Sequence, residues 1–224
     1  WTRDELIIAI NLYCKIPFGK LHSRNQQIIE LALLLGRSPN AVAMKLVNFA
    51  SLDPSLHARG IKGMGRGAKL DKVVWDEFYN NWDAAFLESE KLLAQYKDST
   101  IESEYSSEIE DLKSYEAIDK KSLVNTRIKQ GVFRKIVLAN YNSTCCITGI
   151  SQQDLLIASH IVPWSKDAQN RLNPMNGLCL NALHDRAFDK GLITVDAYTY
   201  RIKLSSKLKS KSPKNGCADY FEKY

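Results

Sequence analysis

Apolar residues recur at helical spacing through the first hundred positions, then give way to short β-branched runs. Thr2 with Glu5 forms a capping box ahead of Leu6, Ile7, Ile10 and Tyr13, which predicts a first helix broken by Pro17 and Gly19. Ser23 with Gln26 opens a second, with Ile28, Leu31, Ala32 and Leu35 on its stripe and Gly36 as its C-cap. Ser38-Pro39 starts a third, with Val42, Leu46 and Phe49 facing inward and Asn40, Lys45 and Asn48 outward. A fourth carries Trp75, Phe78, Tyr79, Trp82 and Phe86 on one stripe, the mark of a core face. Three short helices with a tight turn before the third fit a helix-turn-helix unit whose third helix enters a major groove. They fit a plain helical bundle equally well.

Between the third and fourth helices lies a glycine-rich basic stretch, with Gly60, Gly63, Gly65 and Gly67 among Arg59, Lys62, Arg66, Lys69 and Lys72. Glycine lets backbone approach a phosphate and the cations neutralise it; a solvated loop explains the composition as well. Its glycine spacing is not a dinucleotide fingerprint, and no strand precedes it. From Lys97 to Ser122 eight acids face four lysines without a convincing apolar stripe, which reads as a linker or a solvated helix.

A second domain begins near Leu123 with an amphipathic helix. Its inner face is Ile128, Val132, Ile136 and Val137, and its polar face Arg127, Lys129, Arg134 and Lys135. Cys145-Cys146-Ile147-Thr148-Gly149 is turn-like, and Leu155 to Pro163 is a strand holding His160. A Pro- and Asn-rich loop, Trp164 to Met175, leads to Asn176-Gly177, the short strand Leu178 to Leu180, and a helix from Asn181 to Lys190 holding His184 and ended by Gly191. The expected architecture is α+β: a helical domain over 1–96, an acidic linker over 97–122, and a strand–loop–strand–helix domain over 123–224.

Composition narrows the class. With 45% apolar and 25% charged residues in a chain of 224, the protein is globular rather than disordered throughout. No apolar run approaches the roughly 18–20 residues of a membrane span. The net charge is +6, but the acidic stretch holds −4, leaving +10 on the rest. That excess points to a polyanionic partner. Five cysteines, an odd number, without a signal-peptide pattern, suggest a reduced, cytoplasmic setting.

The blocks S-H-I-V-P-W, N-G-L-C-L and L-H-D-R-A-F-D-K-G stand in order over about Arg127 to Lys209, with Asn176 eight residues before His184. In this the chain resembles the HNH endonucleases of the ββα-metal fold, and within them a subgroup classed as restriction endonucleases. The resemblance implies metal-dependent hydrolysis of DNA phosphodiesters, leaving 5′-phosphate and 3′-hydroxyl, in restriction-type defence. It makes His160 the general base, His184 a metal ligand, and Asn176 the residue that ties the hairpin loop and aims the His160 ring. A neutral imidazole suits the first task, its ordinary pKa being about 6.5. A divalent metal, Mg²⁺ or Mn²⁺, suits the charge on the departing oxygen.

Two departures from the family stand out. Many members place Asp or His before the base as a further metal ligand, where this chain has Ser159, a weak ligand for a hard cation. Asp185 and Asp189 are the alternative helpers. Some members also carry paired C-x-x-C knuckles, but here Cys146 is followed by Gly149 and Cys179 by Ala182 at the partner positions. The expectation is no structural zinc, with Cys146 and Cys179 buried as small apolar groups. The implied partner is double-stranded DNA, gripped by Arg127, Lys129, Arg134, Lys135, Arg201 and Lys203 and read by the helical domain through Asn40, Lys45, Asn48, Arg59, Lys62 and Arg66. From Arg201 to Lys214 six cations stand without an acid, which reads as a duplex-facing strip or a solvated tail. A homodimer suits the two-fold symmetry of a duplex, although no stretch marks an interface. The rival readings are a non-catalytic DNA-binding regulator on a decayed HNH fold, which Ser159 favours, and an RNA-directed or toxin-type nuclease.

Overall fold

The computed structural model describes residues 1–65, 67–110, 117–209 and 217–224, with the side chains of 117–121, 209 and 217 left aside. Arg66, Lys211, Lys214 and the side chain of Lys209 lie outside that description. The chain divides into two compact units, Trp1–Asn142 with His160–Gly177, and Ser143–Ser159 with Leu178–Tyr224. Among the described residues no helix is long and apolar enough to cross a membrane.

In the first unit the leading helix is the centre rather than an edge. α1 (Arg3–Cys14) starts at its capping box, Glu5 N donating to Thr2 Oγ1 at 3.2 Å and Thr2 N to Glu5 Oε2 at 2.7 Å. Leu6, Ile7, Ile8 and Ile10 are all buried, so α1 is apolar nearly all round and is packed on by several neighbours. α2 (Gln26–Leu34) is capped by Asn25 rather than Ser23, and α3 (Pro39–Ala50) by Ser38 with Pro39 in its first turn. α4 (Pro54–Ala58) is one short turn. Gly63, in the glycine-rich stretch, has φ +61°, and a Cβ there would stand 2.4 Å from Ser51 N. That glycine serves a close backbone approach within the protein.

The aromatic stripe runs over two helices instead of one. α5 (Lys69–Asn80) and α6 (Trp82–Tyr96) meet at Asn81, whose φ −149° and ψ 64° are not helical and whose side chain caps α6. Trp75, Phe78, Trp82 and Phe86 are buried as expected, while Tyr79 is exposed. α6 also buries a polar patch: Asn11 donates to Glu90 at 2.7 Å and Lys15 pairs with the same carboxylate. Burial alone would raise the Glu90 carboxyl, but Lys15 and Asn11 outweigh it and hold it below the usual range. α7 (Ile101–Glu104) and α8 (Ser106–Ile109) fall in the acidic stretch, and Ile101 and Tyr105 are buried there, two apolar anchors too sparse to make a periodic stripe. α9 (Ala117–Asn140) buries Ile128, Val132, Phe133, Ile136 and Val137.

The expected outward face of α3 needs correction. Lys45 is buried, with Nζ 2.8 Å from both carboxylate oxygens of Asp71 in the first turn of α5. It is a core ion pair and no longer a candidate for phosphate contact. Asn40 is exposed and Asn48 half-buried.

In the second unit the Cys145–Gly149 turn leads to β1 (Leu156–His160), which pairs with β2 (Gly177–Asn181). α10 (Ala182–Asp189) follows at once, capped by Asn181. β3 (Ile193–Val195) and β4 (Ile202–Leu204) form an antiparallel pair with Ile193 opposite Leu204. α11 (Ser206–Lys209) and α12 (Cys217–Phe221) complete it. Ala187, Ile193 and Phe221 form its small core, with Phe188, Ile202 and Leu204 packed against them. Cys179 is buried as expected, but Cys146 is exposed and Cys145 is buried in its place. Desolvation by the surrounding protein and the neighbouring Cys145 and Cys179 still push the Cys146 thiol up to about 11.

Candidate functional site

The first unit holds His160 and Asn176. His160 ends β1, and its ring lies on Phe133 of α9, with Trp164 against its edge. His160 Nε2 is 2.9 Å from the carbonyl oxygen of Arg171. A carbonyl only accepts, so Nε2 carries a proton and donates it to Arg171 O. Arg171 is itself held, its Nε donating to Trp164 O at 2.9 Å and its guanidinium lying over the Trp164 ring.

Asn176 is buried and knits the loop after β1. Val162 N donates to its Oδ1 at 2.7 Å, and its Nδ2 donates to Asn170 O at 3.1 Å and Val162 O at 3.2 Å. Ile161 N donates to Asn176 O at 2.9 Å. These bonds grip the two residues after His160 and the loop that supplies the Arg171 carbonyl. Gly177 follows, where a Cβ would meet Val137 Cγ2 at 2.3 Å.

The second unit holds His184, Ser159, Asp185 and Asp189. His184 is fully buried in α10, with the rings of Tyr220, Phe221 and Tyr224 around it. Its Nδ1 is 3.1 Å from Asn181 Oδ1, and its Nε2 is buried without a hydrogen-bond partner. Burial lowers its pKa, so the ring is neutral at physiological pH. Asp185 is half-buried, and burial raises its pKa against the opposing pull of Ser159. Ser159 Oγ is close enough to Asp185 for that pull, yet makes no hydrogen bond of ordinary geometry. Asp189 is exposed.

A divalent cation finds one well-prepared donor here. A buried acceptor without a partner costs about 1–3 kcal/mol, and the lone pair of His184 Nε2 is such an acceptor. Ser159 and Asp185 supply oxygen near the start of the same helix. Among the described residues no three His, Cys, Asp or Glu side chains form a metal-holding group. The donor set therefore fits a cation held through the one imidazole nitrogen, with the Ser159 and Asp185 oxygens as its helpers.

The basic residues differ in exposure, and three of them have partners within the protein. Arg59, Lys62, Arg127 and Arg201 are exposed, and Arg134 is half-buried. Lys129 pairs with Asp83, Lys135 lies over the Tyr105 ring, and Lys203 pairs with Asp196. Sequence reasoning missed Phe133, Arg171 and Asn181 as site residues. Asn181 alone had a signal, an amide at the start of a predicted helix.

Residues 145–196 match the family model described as HNH endonuclease. No curated protein and no solved structure matches the chain. HNH nucleases act on nucleic acid and generally use divalent metal ions. The matched segment contains Ser159, His160, Asn176 and His184, so the similarity to the HNH endonuclease family falls on the residues of the candidate site.

Proposed function

We propose that the protein is a metal-dependent DNA endonuclease with His160 as general base, Asn176 as the residue that steadies it, and His184 as a cation ligand. One observation supports this above the others. Each histidine has one ring nitrogen tied to an oxygen that can only accept, Arg171 O for His160 and Asn181 Oδ1 for His184. In the neutral tautomer that this sets, the ring's lone pair lies on the other nitrogen, Nδ1 in His160 and Nε2 in His184, the form that proton abstraction and metal ligation both require.

In the reaction, His160 Nδ1 takes a proton from the attacking water, whose oxygen bonds to the phosphorus as the bond between phosphorus and the 3′-oxygen breaks. With 5′-phosphate and 3′-hydroxyl as products, the departing atom is the 3′-oxygen, which takes up a proton. What a bound Mg²⁺ or Mn²⁺ supplies is positive charge for that oxygen as it leaves. Phe133 and Arg171 keep the His160 ring from turning, and Asn176 fixes the loop that carries Arg171 O.

Double-stranded DNA is the substrate we favour, with Asn40, Asn48, Arg59, Lys62, Arg127, Arg134 and Arg201 as contacts, and Lys129, Lys135 and Lys203 free to join once their internal pairs exchange. Restriction-type defence in the cytoplasm, by a helical recognition domain joined to the nuclease domain and acting as a homodimer, is the role this implies. Ser159, in place of a charged ligand, favours one rival, a DNA-binding regulator that does not cut. Incubation with plasmid, single-stranded DNA and RNA in Mg²⁺ or Mn²⁺ decides between them. Duplex cleavage lost in His160→Ala supports the proposal. Binding without cutting in either metal supports the regulator, and cleavage of RNA alone supports an RNA-directed nuclease.

A further inference from the structure

We propose that Asn181 is a positioning residue for the cation site, and that the Cys145–Gly149 turn exists in part to hold it. The inference rests on the reading of His184 as a cation ligand. Asn181 Oδ1 accepts from Leu183 N at 3.1 Å, His184 N at 3.0 Å and His184 Nδ1 at 3.1 Å. Two of those donors are backbone amides, so the atom facing them is the oxygen of the carboxamide and not its nitrogen. The same oxygen then obliges His184 Nδ1 to carry the ring proton, and the lone pair falls on Nε2, the buried atom with no partner. The helix cap and the choice of tautomer are one act by one atom.

The carboxamide is in turn held from behind. Its Nδ2 donates to Thr148 Oγ1 at 3.0 Å, and the Asn181 backbone N–H donates to Cys145 Sγ at 3.3 Å. The Thr148 hydroxyl is also close enough to that sulfur to favour its thiolate. The chain of contacts runs from Cys145 through Thr148 and Asn181 to His184, within one unit of the fold. This gives the C-C-I-T-G block a task that needs no second C-x-x-C.

A cap alone and a positioning residue differ in what serine can replace. Serine caps a helix about as well as asparagine, but its hydroxyl is too short to reach the ring. Aspartate keeps an oxygen at the same place. The His184 tautomer is read from ring nitrogen and proton shifts in the metal-free full chain, and the dissociation constant for Mn²⁺ by calorimetry. In the wild type the proton sits on Nδ1. In Asn181→Ser the ring becomes a mixture of tautomers and Mn²⁺ binds 10–100-fold more weakly, the usual effect of losing a partner behind a ligand, while Asn181→Asp keeps both properties. Thr148→Val, which spares the cap, shifts the tautomer and the affinity in the same sense as Asn181→Ser and serves if that variant does not fold. An unchanged tautomer or unchanged Mn²⁺ affinity in folded Asn181→Ser overturns the inference. A wild type that shows the Nδ1 tautomer and binds no Mn²⁺ overturns it too, and locates the failure in the reading of His184 as a ligand.

Discussion

The imidazole of His160 lies flat against the ring of Phe133, with centroids 3.7 Å apart and planes 11° apart. One face of the ring is thus covered by a buried aromatic from a helix that carries no motif residue. Phe133→Leu keeps an apolar volume but loses the flat surface. We expect it to lower the cleavage rate about tenfold while DNA affinity stays within a factor of two, measured by single-turnover cleavage and filter binding. Phe133→Ala opens a cavity as well and should cost about 3–5 kcal/mol in denaturant unfolding.

Gly177 is the point at which the strand after the loop touches α9. A Cβ there would be 2.3 Å from Val137 Cγ2 and 3.0 Å from Phe133 Cζ. Gly177→Ala should destabilise the protein by about 1–3 kcal/mol through overpacking. Because Val137 is the nearer neighbour, Val137→Ala in the same chain should recover part of the loss. A double-mutant cycle on unfolding free energies checks the coupling.

His184 makes stability depend on pH in a defined window. Its pKa is lowered by burial from the ordinary 6.5. Above about 6.5 the ring is neutral in both folded and unfolded chains and contributes no slope. As pH falls below that, the unfolded chain takes up a proton that the folded chain resists, so stability drops by up to about 1.4 kcal/mol per pH unit until the lowered pKa is reached. Urea unfolding between pH 5 and 8 (a range chosen around about 6.5) should show this slope in the wild type and a reduced one in His184→Gln.

Lys45 tests the corrected face of α3. Lys45→Ala strands the buried Asp71 carboxylate, whose other bond is to Ala68 N at 3.0 Å, and should cost about 3–5 kcal/mol. Lys45→Met with Asp71→Leu should recover most of it. In that folded double variant the salt dependence of DNA binding should equal the wild type's, whereas loss of a true phosphate contact would lower the slope by about 0.9.

What could be read from the chain follows the range of each interaction. The capping box of Thr2 and Glu5, the Ser38-Pro39 start and the order of His160, Asn176 and His184 are local signals, and the structure carries all of them. The break at Asn81 was hidden because the apolar stripe continues across it. Lys45 looked outward because Asp71 is 26 residues away in sequence. Cys145 and Cys146 are neighbours on a turn, where no periodicity tells which sulfur points inward. Asn181 could be read as a cap, but its bond to the His184 ring depends on a rotamer. The Phe133 stack joins positions 27 apart, and Phe133 had the appearance of one more core residue.

The most direct test of the central claim is single-turnover cleavage of duplex DNA in Mg²⁺ or Mn²⁺ by the wild type and by His160→Ala, with DNA binding measured in parallel. The account predicts that His160→Ala binds DNA as the wild type does and cuts it about 10²–10⁴-fold more slowly. Cleavage by His160→Ala at the wild-type rate would contradict it.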